Sequence, residues 1–165
     1  MRNPNCTSQP WSAYDPSEKM SPRGLELDGL LELLEKEHVI MIGTLASLRE
    51  AIRRRDVQAA RSIIQGMDET LVQHFLDEES TLLLLIVQAF GREGAAESIG
   101  IFQEHIEIDS LVGKLRETLM SGVDSSAIAW KELDEFMESH FDRENITAFP
   151  CVREAARRLG LEGKQ

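Results

Sequence analysis

The sequence has little of several features that mark common classes of protein. Among its 165 residues there are two cysteines, Cys6 and Cys151, too few for a disulfide framework or a cysteine-rich metal site. The longest strongly apolar stretch, residues 82–87, is far too short to span a bilayer. Residues 1–24 contain no apolar segment of the kind found in signal peptides. These features favour a cytoplasmic protein.

Positive charge is also scarce. Lysine and arginine number 18 and aspartate and glutamate number 29, which gives a formal net charge of −11 at pH 7. Sequence-independent binding to nucleic acid requires a basic face, and so does adsorption to an anionic membrane. We therefore expect neither nucleic acid nor a membrane among the partners. The oligomeric state stays open.

Proline is confined almost entirely to one end of the chain. Four of the five prolines lie within residues 1–24 among small polar residues, which predicts a disordered tail there. From about residue 25 to residue 160 the sequence predicts one helical domain. Apolar residues recur every three or four positions in four segments, at about 25–54, 56–90, 94–120 and 124–158, without the alternation typical of strands. Short connections between long helices favour an all-α, up-down-up-down four-helix bundle.

Each predicted helix carries one histidine at a core-facing position: His38, His74, His105 and His140. Three carboxylates follow a histidine by four residues, on the same helix face: Glu78, Asp109 and Glu144. A buried carboxylate without a counter-charge is costly, and no lysine or arginine lies near the centre of these faces. A metal cation is the simplest counter-charge. Imidazoles and carboxylates without thiolate suit iron, manganese or zinc.

The positions of these residues along the helices agree with a shared site. Counted from the connection near residue 55, His38 lies 17 residues before it and His74 lies 19 after it. Counted from near residue 122, His105 lies 17 before and His140 lies 18 after. At about 1.5 Å per residue, antiparallel helices bring these groups within about one turn of each other. Seven ligands exceed the need of one ion, zinc included, and suit two ions bridged by carboxylates.

The chain also contains an internal repeat. Residues 74–81 (HFLDEEST) match residues 140–147 (HFDRENIT) at four of eight positions, 66 residues apart. Two Glu-His pairs, at 37–38 and 104–105, are separated by 67 residues. The bundle is therefore predicted to use one helix pair twice.

The same helical period predicts which side chains flank the two repeated glutamates. Continued past each glutamate, it directs four further residues toward the core: Thr81, Leu85, Thr147 and Cys151. Glu79 is rotated by about 100° from Glu78, and we expect it to lie outside the site.

These motifs resemble the hemerythrin-like domain, also called the HHE cation-binding domain, over residues 27–152. The resemblance lies in Glu37-His38, His74-x-x-x-Glu78, Glu104-His105 and His140-x-x-x-Glu144 followed by Phe149-Pro150. It implies a non-haem di-iron centre inside the bundle. By analogy, one iron would be held by His38 and His74 and the other by His105 and His140, with Glu78 and Glu144 as bridges. Asp109 is a further candidate ligand.

Two positions depart from the oxygen-carrying hemerythrins. Those proteins have a second histidine where this chain has Asp109, and an aspartate where it has Asn145. The pattern is closer to the di-iron proteins of iron–sulfur cluster repair and to iron-sensing versions. Asp109 would offer a carboxylate or, turned away, leave an open position.

The resemblance therefore implies a protein that binds or processes a small ligand, O2, NO or peroxide, in oxidative or nitrosative stress. An iron-sensing or iron-handling module without turnover is the main alternative, and an inert helical interaction domain is a third. The sequence leaves open whether the protein is an enzyme.

Overall fold

The computed structural model describes residues 23–121 and 123–161, without the side chains of 123–125. Apart from Arg23 and Gly24, the tail predicted at residues 1–24 lies outside the described residues. The helical elements, in chain order, are α1 (Leu27–Arg53), α2 (Val57–Asp77), a π-helical turn π1 (Glu78–Leu83), α3 (Leu84–Gly94), α4 (Ala96–Gln103), α5 (His105–Ser121), α6 (Val123–Arg143), a second π-helical turn π2 (Glu144–Ala148) and α7 (Phe149–Leu159).

These elements form four rods. The first rod is α1, the second joins α2, π1 and α3, the third joins α4 and α5, and the fourth joins α6, π2 and α7. Both α1 and α5 pack against α2 and α6, so the rods form a ring in chain order. The predicted all-α four-helix bundle is confirmed, and the described residues contain no strand. Among them, no helix has the length and apolar character needed to cross a membrane.

The rods end where the sequence predicts breaks. Asp56 caps the start of α2, where its side chain accepts a hydrogen bond from the backbone N–H of Ala59 at 3.0 Å. Gly91 adopts φ 70° and ψ 175° near the end of α3, a conformation that glycine adopts without a steric penalty. Gly160, at φ 68°, ends α7 in the left-handed conformation. Local backbone chemistry therefore fixes the lengths of the rods.

The interior contains two separate hydrophobic cores. The first core is built from α1, α2, α5 and α6 and consists of Met41, Leu45, Leu48, Ala51, Ile52, Ala60, Ile64, Met67, Leu71, Ile108, Val112, Leu115, Leu119, Ala129, Leu133, Met137 and Phe141. The second core lies at the other end of the bundle and consists of Leu30, Leu31, Leu34, Leu82, Leu85, Ile86, Ala95, Ile101, Phe102, Ala148, Phe149, Val152 and Ala155. The first rod contributes to both cores, and His38 lies between its two contributions.

The two π turns change which side chains face the second core. Leu85 is buried as predicted. The other three expected positions are wrong by one residue: Thr81, Thr147 and Cys151 are only half-buried, whereas the residues that follow them are buried, namely Leu82, Ala148 and Val152. A π turn holds one more residue than the α-helical turn that it replaces, so the helix beyond it is advanced by one position. A strict helical period cannot anticipate that insertion.

Truncation of Leu45, which is fully buried in the first core, is expected to destabilise the bundle. Leu45→Ala should lower the free energy of unfolding by about 2–5 kcal/mol through lost contacts and the cavity left behind. Val39→Ala is the control, because Val39 is 73% exposed on the same helix, and it should change stability by less than about 0.5 kcal/mol. Urea unfolding at equal metal content measures both, and equal effects would contradict the assignment of this core.

Candidate metal centre

A layer of histidine and glutamate side chains separates the two hydrophobic cores. His38 comes from α1 and His74 from α2, while His105 begins α5 and His140 comes from α6. Glu78 and Glu144 are the first residues of π1 and π2. His74, Glu78, His140 and Glu144 are 0% exposed, and His38 and His105 are 4% exposed. Six of the seven residues predicted from the sequence therefore meet in one buried layer.

Asp109, the seventh predicted ligand, does not join this layer. Its side chain is exposed on α5, and Ile108 occupies the buried position next to it. After His105 the core-facing residue of α5 lies three positions on, whereas after His74 and His140 it lies four positions on. Residues three and four positions after a histidine both project near the helix face of that histidine, so the helical period of the sequence could not choose between them. The prediction of Asp109 as a metal ligand is therefore not supported by its placement.

Within each His-x-x-x-Glu motif, one helical turn places the imidazole next to the carboxylate. The distance from His74 Nε2 to Glu78 Oε1 is 3.4 Å, and that from His140 Nε2 to Glu144 Oε1 is 3.0 Å. The π turns begin at these glutamates. The motif thus keeps α-helical spacing, while the extra residue of each π turn lies beyond it.

Contacts between rods complete the cluster. Glu144 Oε2 lies 3.2 Å from His38 Nε2, and Glu78 Oε2 lies 3.2 Å from His105 Nε2. His38 Nε2 also lies 3.1 Å from His74 Nε2. The Nε2 atoms and the carboxylate oxygens therefore converge on the bundle axis.

Two groups of donors in this layer have the spacing needed to hold a metal ion. His38, His74, Glu78 and Glu144 form one group and His105, His140 and Glu144 the other, with ligand atoms within 4.8 Å of one another in each. Among the described residues, all four carboxylate oxygens of Glu78 and Glu144 are buried without a hydrogen-bond partner, and so are Nε2 of His105 and Nε2 of His140. Buried acceptors without partners are costly in an apolar interior, and cations would satisfy them. The donor set therefore fits metal binding.

The pKa values of these groups show how the charges are balanced without a cation. Burial, together with the neighbouring Glu144 carboxylate, raises the pKa of Glu78 well above its ordinary value. Burial opposes ionisation of Glu144 too, but the close imidazoles of His105, His140 and His38 hold its pKa well below the ordinary value. Burial would lower the pKa of His105, but the neighbouring carboxylates of Glu144 and Glu78 instead raise it to about 10. The layer thus favours a proton on Glu78 and on His105, and a bound cation would compete with those protons.

Three of the four histidines also contact a carboxylate through Nδ1. The partner of His74 Nδ1 is Glu37 Oε2 at 2.9 Å, and the partner of His140 Nδ1 is Glu104 Oε2 at 3.0 Å. These two glutamates belong to the Glu-His pairs of the sequence, so each precedes one histidine and contacts the histidine of the next rod. An Nδ1–H donated to a carboxylate leaves Nε2 free to bind metal and makes it a better ligand.

The third such carboxylate belongs to Glu79. Its Oε1 lies 2.8 Å from Nδ1 of His105. The expectation that Glu79 lies outside the site is therefore wrong, because the rotation that turns it away from Glu78 turns it toward the neighbouring rod. A count along a single helix cannot reveal a partner on another helix.

Two arginines hold the carboxylates that support His74 and His140. Arg23 Nη1 donates to Glu37 Oε1 at 2.6 Å, and Arg23 Nε lies 2.5 Å from Oδ2 of the fully buried Asp77. Arg143 donates to Glu104. Burial opposes ionisation of Glu37, but hydrogen bonds from His74 and Arg23 lower its pKa. The sequence motifs include Glu37 and Glu104, but they gave no sign of Arg23, Arg143 or Asp77.

Aromatic rings fill the space around the histidines. The ring of His38 stacks on Phe141 with centroids 4.2 Å apart and an interplanar angle of 15°. The ring of His105 stacks on Phe75 at 3.8 Å and 11°. These contacts restrict rotation of the imidazoles and exclude water from the layer.

Comparison with known proteins agrees with this geometry. The hemerythrin HHE cation binding domain model matches residues 29–152, which include all six clustered residues. No curated protein and no solved structure matches the chain. The match spans most of the sequence and falls on the rods that carry the histidines and glutamates. The chain belongs to the hemerythrin HHE cation-binding domain family.

Proposed function

We propose that this member of the family is a non-haem di-iron protein that binds or processes a small ligand such as oxygen, nitric oxide or peroxide. The observation that carries the proposal is that Glu144 belongs to both donor groups, one with His38 and His74 and one with His105 and His140. A carboxylate whose two oxygens face two sets of imidazoles suits a bridge between two ions.

Glu78 supports the same arrangement. Its Oε1 lies 3.4 Å from His74 Nε2, and its Oε2 lies 3.2 Å from His105 Nε2. With both glutamates as bridges, each ion would be offered two imidazole nitrogens and two carboxylate oxygens. Such a mixed donor set suits iron, manganese or zinc, and membership of the hemerythrin family favours iron.

The protein's own residues would hold and aim these donors. Hydrogen bonds from Nδ1 to Glu37 and Glu104 direct Nε2 of His74 and His140 toward the bundle axis. Phe75 and Phe141 limit rotation of the other two imidazoles. Iron bound there would supply a redox-active Lewis acid with coordination positions left open to an added ligand.

The burial of the layer supports a small ligand. Glu78 and Glu144, the two shared carboxylates, are 0% exposed between the cores, so a substrate with a large body could not reach them without opening the bundle. The exposed position of Asp109 supports an open coordination position, because α5 supplies no donor where an oxygen-carrying hemerythrin has its second imidazole.

An iron-sensing or iron-handling module without turnover is the second candidate. The buried carboxylate oxygens of Glu78 and Glu144 favour it, since they find no hydrogen-bond partner among residues 23–121 and 123–161 and a cation would satisfy them. Metal loading would then stabilise the bundle strongly. Turnover of peroxide or nitric oxide would favour the first candidate, and metal-dependent folding without turnover would favour the second.

Protein purified without a chelator is expected to contain about two iron atoms per chain, one for each donor group. Elemental analysis together with protein quantification measures this ratio. Removal of the metal should lower the thermal midpoint of unfolding, because a cation that binds only the native state stabilises it by mass action. Protein without transition metal that is equally stable with and without added Fe(II) would refute the proposal.

Substitution of a bridging glutamate should release iron, whereas a matched substitution at the surface should not. Glu144→Gln keeps the side-chain volume but removes the charge shared by both donor groups, and we expect it to lose most of the bound iron. Asp109→Asn makes the same chemical change on the exposed face of α5 and should retain the iron content of the parent. The measurement is the number of iron atoms per chain in each variant, with folding checked by circular dichroism. Equal iron loss in both variants would contradict the assigned ligands.

Burial of the centre predicts discrimination by ligand size. Hydrogen peroxide should change the optical spectrum of the reduced protein at least about tenfold faster than a bulky alkyl hydroperoxide does. Even a methylene-sized difference between two substrates changes the reaction rate by about tenfold in a closed pocket. Rates measured with free Fe(II) correct for the intrinsic reactivity of the two reagents. Equal corrected rates would mean that the centre is open to large molecules.

A further inference from the structure

The internal repeat gives the histidine and glutamate layer an approximate twofold symmetry. The twofold rotation exchanges the first rod with the third and the second rod with the fourth. His38 then corresponds to His105, and Glu144 corresponds to Glu78. The distance from His38 Nε2 to Glu144 Oε2 is 3.2 Å, and its counterpart from His105 Nε2 to Glu78 Oε2 is also 3.2 Å.

The surrounding contacts obey the same symmetry. The contact of 2.9 Å between Glu37 and His74 Nδ1 corresponds to the contact of 3.0 Å between Glu104 and His140 Nδ1.

The stacked rings also correspond. Phe141 stacks on His38 at 4.2 Å, and Phe75 stacks on His105 at 3.8 Å. The layer therefore has two closely similar halves.

The two halves differ in the group that faces Nδ1 of His105 and Nδ1 of His38. Glu79 accepts a hydrogen bond from Nδ1 of His105, and the residue that corresponds to Glu79 in the repeat is Asn145. Asn145 is exposed, and Nδ1 of His38 is buried without a hydrogen-bond partner in the described part of the chain. Of the four imidazoles, His38 is thus the one whose Nδ1 lacks a carboxylate.

We infer that Glu79 and Asn145 make the two metal positions unequal, so that the ion held by His38 and His74 dissociates first. This inference rests on the proposed di-iron centre. Glu79 acts as a positioning residue, since it would affect the metal only through His105, whereas Asn145 supplies no such carboxylate to His38.

The physical reason lies in what a carboxylate does for an imidazole. A carboxylate at Nδ1 holds the proton there, fixes the ring orientation and raises the basicity of Nε2, and loss of such a partner typically costs about 10–100-fold in metal affinity. His105 has this support from Glu79, whereas His38 is oriented by the Phe141 ring without it. The bridging carboxylates serve both ions, so they do not compensate for the difference.

The test uses the full chain loaded anaerobically with Fe(II). An excess of a ferrous chelator that forms a coloured complex reports the release of iron with time. For the parent protein we expect two phases of about equal amplitude, with rates that differ by about tenfold or more.

Two reciprocal substitutions assign the phases. Asn145→Glu supplies the missing carboxylate and should slow the fast phase until one slow phase remains. Glu79→Asn removes the existing carboxylate and should accelerate the slow phase until one fast phase remains. Both positions are exposed, with the Glu79 side chain at 52%, so neither change disturbs a hydrophobic core. Glu69→Asn, at an exposed position of α2, should retain both phases.

The outcomes separate this inference from the proposed function. Binding of about two ions that leave the parent protein in one phase would overturn the inequality while leaving the di-iron centre intact. Two phases that persist unchanged in Asn145→Glu and Glu79→Asn would overturn the roles of these residues. Failure of the parent protein to bind iron would refute the proposed function itself. Collapse to one phase, slow in Asn145→Glu and fast in Glu79→Asn, supports the inference.

Discussion

The structure depends on two carboxylates placed in an apolar interior. Glu78 and Glu144 lie fully buried between two hydrophobic cores, close enough that the charge of one disfavours ionisation of the other. The bundle meets this cost with four imidazoles directed at the carboxylates and three further carboxylates behind the imidazoles. Carboxylates and imidazoles alternate outward from the axis, from glutamate to histidine to glutamate, and two arginines complete two of these chains. The arrangement is incomplete without positive charge at its centre.

This layer explains the division of the interior. Leucine and isoleucine cannot satisfy the polar atoms of the layer, so the apolar side chains collect above and below it as separate cores. Each rod is therefore apolar at two levels and polar at one. The stacked phenylalanines join the levels, since Phe141 belongs to the first core and also contacts His38. Phe141 thus takes part in the apolar packing and also restrains an imidazole of the polar layer.

Much of the fold and of the site could be predicted from the sequence, because both follow helical periodicity. The helical period placed His74 and Glu78 on one helix face. Counting residues from the connections placed the four histidines, one on each rod, at the same level of the bundle. The period failed at Asp109, where the choice between three and four residues depends on how α5 packs. It also failed at Thr81 and Thr147, where a π turn adds a residue without changing the local composition. Contacts between rods, such as Glu79 with His105, require the three-dimensional arrangement.

The π turns have a further consequence for how the chain tolerates changes in length. Each holds one surplus residue, so deletion of a single residue within 79–83 or 145–148 would leave an uninterrupted α-helix in place of the bulge. The helix beyond would then keep its rotation, because each of its residues already lies where its predecessor would lie in an uninterrupted α-helix. On the second rod, Leu85 and Ile86 would still face the second core, and His74 and Glu78 would keep their places. Each rod should therefore tolerate the loss of one residue within its π turn, because neither the histidine and glutamate geometry before the turn nor the apolar packing after it depends on the surplus residue.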